Sequence, residues 1–156
     1  MRPLFALAAL SGLLAAPAVQ AANSAVEAPI HQMVASFNKG DIKAAKATHV
    51  ASPMIMDEVA PYAWSGPKAF DSWSSALTKA EAAEGKTGGK VAIGAPVRET
   101  IVGDRAYVVT PSTYTFKQKG QTMREAGTLT IVLIKGKAGW KIQAWTWTSP
   151  EAAPLK

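Results

Sequence analysis

Apolar positions along the chain recur with two different periods. Over residues 24–38, Val26, Ile30, Met33, Val34 and Phe37 fall on one face of a helix. Gly40 suits the end of that helix and Asp41 the cap of a second, "DIKAAKATHVA", which puts Ile42, Ala45 and His49 on one side. A short strand, Met54–Val59, leads into a turn-rich link through Pro61. Gly66 as cap and Pro67 as first residue start a third helix, with Phe70, Trp73, Leu77 and Ala80 at helical spacing, fading at "AAEGKTGGK". From Lys90 onward the period becomes alternating. "KVAIGAPVRETIV", "RAYVVTPSTYTFK", "TMREAGTLTIVLIK" and "GWKIQAWTWT" read as strands joined by the short turns "GD", "QKGQ" and "GKAG". Pro111 lacks an N–H for a ladder, so its strand needs an edge or a bulge there.

The predicted fold is α+β: a cone-shaped, curved antiparallel sheet, made of a four-strand C-terminal meander plus a short N-terminal strand, wrapped by three helices. The N-terminal "MRPLFALAALSGLLAAPAVQA" carries one cation, Arg2, then an apolar run and the small-residue pattern Val19-Gln20-Ala21. It predicts a signal peptide over 1–21, export to the periplasm or medium, and no membrane insertion after cleavage. Residues 22–148 then form one domain and 149–156 a flexible tail.

Charge and cysteine content narrow the chemistry. The formal net charge is +6, but the lysines are scattered over helices and turns with no basic run, which argues against a nucleic-acid partner. The chain contains no cysteine, so disulfides and thiolate metal sites are excluded. Two histidines without companion ligands at metal spacing predict no metal, and nothing in the sequence calls for a cofactor.

With "FNKGD" closing the first helix, "MIMDE…WSGPKAF" leading to the third and a terminal "GWKIQAWTW", the chain resembles the nuclear transport factor 2-like superfamily, in its SnoaL-like and ketosteroid-isomerase-like branch. The resemblance covers essentially all of the chain after residue 21. It implies a cone-shaped sheet, an apolar pocket and dimerisation through the sheet. Its members include isomerases, dehydratases, cyclases, epoxide hydrolases and binding modules, so the fold alone selects no activity.

The resemblance also places a catalytic aspartate at the position of Asp57. A carboxylate desolvated in an apolar pocket has a raised pKa and can act as a general base. The alternative is that Asp57 and Glu58 are rim carboxylates bonded to nearby backbone or a lysine. Strand alternation sends Asp57 with Ile55 to one face, and Glu58 with Met54 and Met56 to the other. The oxyanion donors of the isomerases, a helix tyrosine and a protonated strand aspartic acid, have no counterpart: the first helix has no tyrosine and "LTIVLI" no acid. Steroid isomerisation is therefore disfavoured. His49 either couples with Asp57, as in a dehydratase-like site, or is a packed histidine with a backbone hydrogen bond. Arg98–Glu99 and Arg124–Glu125 read as strand residues in cross-strand pairs.

Candidate ligand contacts are Tyr62, Trp64, Met33, Phe37, Tyr114, Trp145 and Trp147. Trp145 and Trp147 have the opposite parity to Trp140 and Ile142, so they cover the outer face unless a bulge turns them into the cavity. Three readings follow: a domain binding a small apolar or amphipathic molecule, a lyase or isomerase with Asp57 as base, or an interaction module using the sheet face. A homodimer through the sheet is the expected assembly.

Overall fold

The computed structural model describes residues 24–155. The segment 1–21, expected to be a signal peptide, lies outside the described residues. The elements are α1 (Ser24–Asn38), α2 (Ile42–Ala47), β1 (His49–Met56), β2 (Ala63–Ser65), α3 (Ala69–Glu84), β3 (Lys86–Ile93), β4 (Arg98–Val102), β5 (Arg105–Gln118), β6 (Gln121–Gly136), β7 (Gly139–Thr148) and β8 (Ala153–Pro154). The sheet runs β2-β1-β7-β6-β5-β3, with β4 also on β5 and β8 on β6. Three helices and this curved sheet give the α+β cone.

The sheet is mixed rather than wholly antiparallel, because β1 lies parallel to β7, with Ile55 opposite Trp145. β1 also begins earlier than the hydrophobic pattern indicates. α2 ends at Ala47, where the Thr48 hydroxyl donates to the Ala45 carbonyl at 2.7 Å. The Thr48 carbonyl then accepts from the Ile142 amide at 3.0 Å, which delivers the next residue, His49, into the sheet. His49 is thus a strand residue, not the last turn of a helix.

The stretch "KVAIGAPVRETIV" is two strands, both paired with β5. Pro111 sits at the gap between them. Ser112 pairs with Ile93 on one side and Val109 with Arg98 on the other, so no partner there needs a Pro111 N–H. The Thr110 hydroxyl donates to the Gly94 carbonyl at 2.7 Å and closes the break.

α1 and α3 lay their apolar stripes on the inner sheet face. Val26 and Ile30 from α1 and Phe70 from α3 are buried against Ile55, Ile131, Leu133 and Ile142. α3 stops at Gly85, whose φ of 67° suits glycine and whose amide donates to the Ala82 carbonyl at 3.2 Å. The segment expected to be a loose tail folds back instead: Ala153 and Pro154 pair with Arg124 and Met123, and the Leu155 amide donates to the Thr122 carbonyl at 2.8 Å.

Candidate ligand pocket

The cone encloses a cavity of about 370 Å3. Met33, Val34 and Phe37 of α1 form one wall, and Phe70, Trp73, Leu77 and Ala80 of α3 a second. The sheet contributes Val91, Leu129, Trp145 and Trp147. These walls are aromatic because helical and strand periodicities converge on one point. Trp73 meets Trp145 edge-on at 4.9 Å between centroids, Phe70 at 5.3 Å and Phe37 at 6.0 Å.

A bulge decides the orientation of the C-terminal tryptophans. Along β6 and β7, Leu133 faces Ile142 but Val132 faces Ala144, so Gln143 is the extra residue. Ile142, Trp145 and Trp147 therefore share the inner face. Without the bulge, strict alternation over the same residues would turn both tryptophans outward.

Asp57 lines the cavity immediately after the end of β1. Its Oδ2 accepts from the Trp73 indole N–H at 2.7 Å and its Oδ1 from the Glu58 amide at 2.6 Å. Burial raises its pKa, and the Trp73 and Glu58 donors only partly oppose the shift. Glu58 also lines the cavity, contrary to the alternation expected for it. β1 stops at Met56, and the Asp57 amide donates to the Tyr62 carbonyl at 3.1 Å, so strand parity no longer applies. The Glu58 Oε1 accepts from the Ser149 amide at 2.6 Å and from its hydroxyl at 3.1 Å.

His49 does not reach this carboxylate. It is buried at the other end of β1 and is not part of the cavity wall. Its Nδ1 lies 3.1 Å from the Ala45 carbonyl, and its Nε2 accepts from the Trp145 indole N–H at 3.0 Å. Burial lowers its pKa to about 4, the backbone acceptors opposing and Lys141 adding to the shift. The imidazole is therefore neutral at ordinary pH. His49 and Asp57 are linked through the Trp145 and Trp73 indoles, not as a couple.

Of the expected ligand contacts, Met33, Phe37, Tyr114, Trp145 and Trp147 line the cavity, whereas Tyr62 and Trp64 do not. Tyr62 is 63% exposed in the turn after β1, with a φ of 74°. Trp64 is buried on β2, beneath a shallower groove it shares with Pro61, Lys68 and Ser72. The short β2 pairs with the outer edge of β1 and so carries Trp64 away from the cone axis.

A second polar group lies at the cavity beside Tyr114: Glu81, Glu84 and Lys86, which escaped the sequence reading, and Glu125, expected there only as a strand residue in a cross-strand pair. The Tyr114 hydroxyl donates to Glu81. The Lys86 Nζ lies 2.9 Å from Glu84 and 3.6 Å from Glu125, and 4.6 Å from the centre of the Phe116 ring. Burial raises the Tyr114 pKa, as do the Glu81 bond and the charges of Glu81, Glu125 and Asp57, so the phenol stays protonated. Burial lowers the Lys86 pKa, but Glu84 and Glu125 outweigh it and the net shift is upward. Glu125 is raised by burial, against Lys86 and with help from Glu58 and Asp57.

The signals for this group were present. Glu81 follows Leu77 and Glu84 follows Ala80 by one helical step of four, so both continue the inward stripe of α3. Glu125 shares strand parity with Leu129 and Ile131 and pairs directly with Tyr114. Gly89 makes room for the phenol, since a Cβ there would lie 2.0 Å from the Tyr114 oxygen. Among the described residues, no group of three or more His, Asp or Glu is placed to hold a metal ion.

No curated protein matches the chain. Among solved structures it is similar to the hexachlorocyclohexane dehydrochlorinase LinA-type3 from Novosphingobium barchaimii, with a TM-score of 0.71 at 11% identity over 85% of this chain and 88% of that one. It is also similar to a ketosteroid isomerase-like protein from Erwinia carotovora atroseptica, with a TM-score of 0.63 at 19% identity over 82% and 95% of the two chains. An NTF2-like protein with a cystatin-like fold from Novosphingobium aromaticivorans gives 0.67 at 16% identity, over 82% and 81%. At these identities the likeness concerns the fold. The sequence matches the SnoaL-like domain over residues 26–147, most of the chain, and the protein belongs to that family.

Proposed function

We propose that this protein is an exported small-molecule-binding domain whose conical pocket takes one largely apolar or amphipathic organic molecule. The cavity carries the reading. Its volume, about 370 Å3, falls in the range of small-molecule sites, roughly 300–1,000 Å3. Apolar walls left wet forgo the stabilisation that burial would bring, so an aromatic cone kept open supports a ligand as its occupant. Export rests on the signal-like pattern of residues 1–21. Assembly as a dimer through the outer sheet face rests on the family, and light scattering of the chain without residues 1–21 tests it, a monomer counting against it.

The uncharged probe N-phenyl-1-naphthylamine tests the pocket. Its fluorescence should rise with the native chain and not with Ala80→Phe, which fills the cavity from α3. Retained binding by a folded Ala80→Phe chain would move the ligand elsewhere.

A second reading is favoured by Asp57: a lyase or isomerase in which this carboxylate is the general base. Trp73 holds the group against the cavity, and its pKa is raised. It would take a proton from carbon beside a carbonyl, then return it at another carbon or lose it with a leaving group. Tyr114, kept protonated three strands away on the same inner face, would donate to the developing oxyanion by turning its hydroxyl away from Glu81. Hydrogen–deuterium exchange into 2-tetralone, followed by NMR, reads the proton transfer directly. Asp57→Asn should slow any acceleration about 10²–10⁴-fold, and equal rates would remove Asp57 as base.

A further inference from the structure

The sign of the charge at the cavity is opposite to that of the protein. The chain has 17 lysines and arginines against 11 acids. Around the cavity the ratio inverts: Asp57, Glu58, Glu81, Glu84 and Glu125 stand against Lys86 alone. We propose that the pocket's ligand is an amphipathic cation, an organic molecule with an apolar body in the aromatic cone and one protonated amine among these carboxylates. The inference rests on the pocket reading above and adds the ligand's charge. The cavity makes this a ligand site, and the carboxylates select what enters it.

The arrangement is costly for a structure that needed only to fold. Glu81 and Glu84 occupy the last turn of α3, which holds no basic residue. That end of a helix carries the negative pole of its dipole and is stabilised by cations. The acids also work against one another: Asp57 and Glu58 raise the pKa of Glu125, and Glu81, Glu125 and Asp57 raise that of Tyr114. Lys86 neutralises one charge, shared between Glu84 and Glu125. The remaining carboxylates are held by neutral donors, Trp73 on Asp57, Tyr114 on Glu81 and Ser149 on Glu58. Neutral donors orient a carboxylate without cancelling its charge, so the cavity keeps a net negative potential. A desolvated ammonium would relieve it, and the indoles of Trp73, Trp145 and Trp147 on the cavity wall offer cation–π partners.

Three ligands of equal length separate charge from shape: 6-phenylhexylamine, 6-phenylhexanol and 6-phenylhexanoate, each displacing N-phenyl-1-naphthylamine at neutral pH and low salt. The amine should bind about tenfold tighter than the alcohol, and the carboxylate more weakly than either. In the Glu81→Gln/Glu125→Gln chain the amine should lose most of that preference while the alcohol is unchanged. High salt should narrow the gap in the native chain. Equal binding of amine and alcohol, or tightest binding of the carboxylate, overturns the assignment and leaves the pocket standing. Failure of the naphthylamine probe to bind the native chain overturns the pocket reading, and this inference with it.

Discussion

The two ends of β1 use the same hydrogen-bonding device for opposite purposes. At its start, the Trp145 indole donates to His49. Just past its end, the Trp73 indole donates to Asp57. His49 is packed against Phe70 at 4.8 Å between ring centres, and both its nitrogens have partners within the protein. Asp57 faces a cavity, among other carboxylates that repel its charge. A polar group that is buried and satisfied specifies a core, whereas one that is buried beside empty space is free to meet a ligand. The structure thus separates the two residues that the sequence offered as one candidate couple.

The largest effect should come from removing Phe70, whose ring reaches the cavity wall but is otherwise packed against His49 and Trp73. Phe70→Ala should cost about 3–5 kcal/mol in urea unfolding, since Phe70 is 1% exposed. Leu77→Ala, farther along the same wall and only half-buried, opens no new enclosed void and should cost about 1 kcal/mol. Equal losses would erase the distinction between a filled core and an open cone.

Acid should next act on His49. Its pKa is about 4 when folded against an ordinary 6.5, so the unfolded chain takes up this proton first as pH falls. Its contribution is complete above 6.5 and declines down to 4, a loss of about 3 kcal/mol. Asp57 and Glu125, with raised pKa values, act in the opposite sense over the acid range. The test is therefore the difference in pH slope between the native chain and His49→Gln, which should lack this decline. Identical slopes would mean that His49 is not buried neutral.

Smaller than the Phe70 and His49 effects is the one at the Asp57 end. Trp73→Phe keeps a ring in the aromatic cluster but removes the N–H, and should cost about 2 kcal/mol. The same change should raise the Asp57 pKa further, because the lost bond favoured the charged form. Carbon-13 NMR of the carboxyl reads this, and an unmoved titration would show that the indole does not hold the carboxylate.

Much of the fold was legible because it depends on short-range periodicity. The α1 stripe, the α3 stripe and the strand alternation all point inward as their spacing requires. The carboxylates beside Tyr114 were legible by the same rules but lay at element ends, where Glu81 and Glu84 look like a fraying helix. Three features were not legible: the parallel pairing of β1 with β7, the loss of parity at Asp57, and the partner of each indole. The first and last depend on which distant element lies alongside, and the second on where strand pairing stops, facts that no local spacing carries.

By itself, the sequence determined the α+β order of elements, the apolar stripes that build the cone and the absence of cysteine chemistry. Tertiary structure alone decided that Gln143 bulges and turns Trp145 and Trp147 inward. It also placed His49 in the core and gathered five acids of a basic chain around one cavity. The physical reason is that periodicity is a property of a segment, whereas desolvation and charge clustering exist only between segments once they pack.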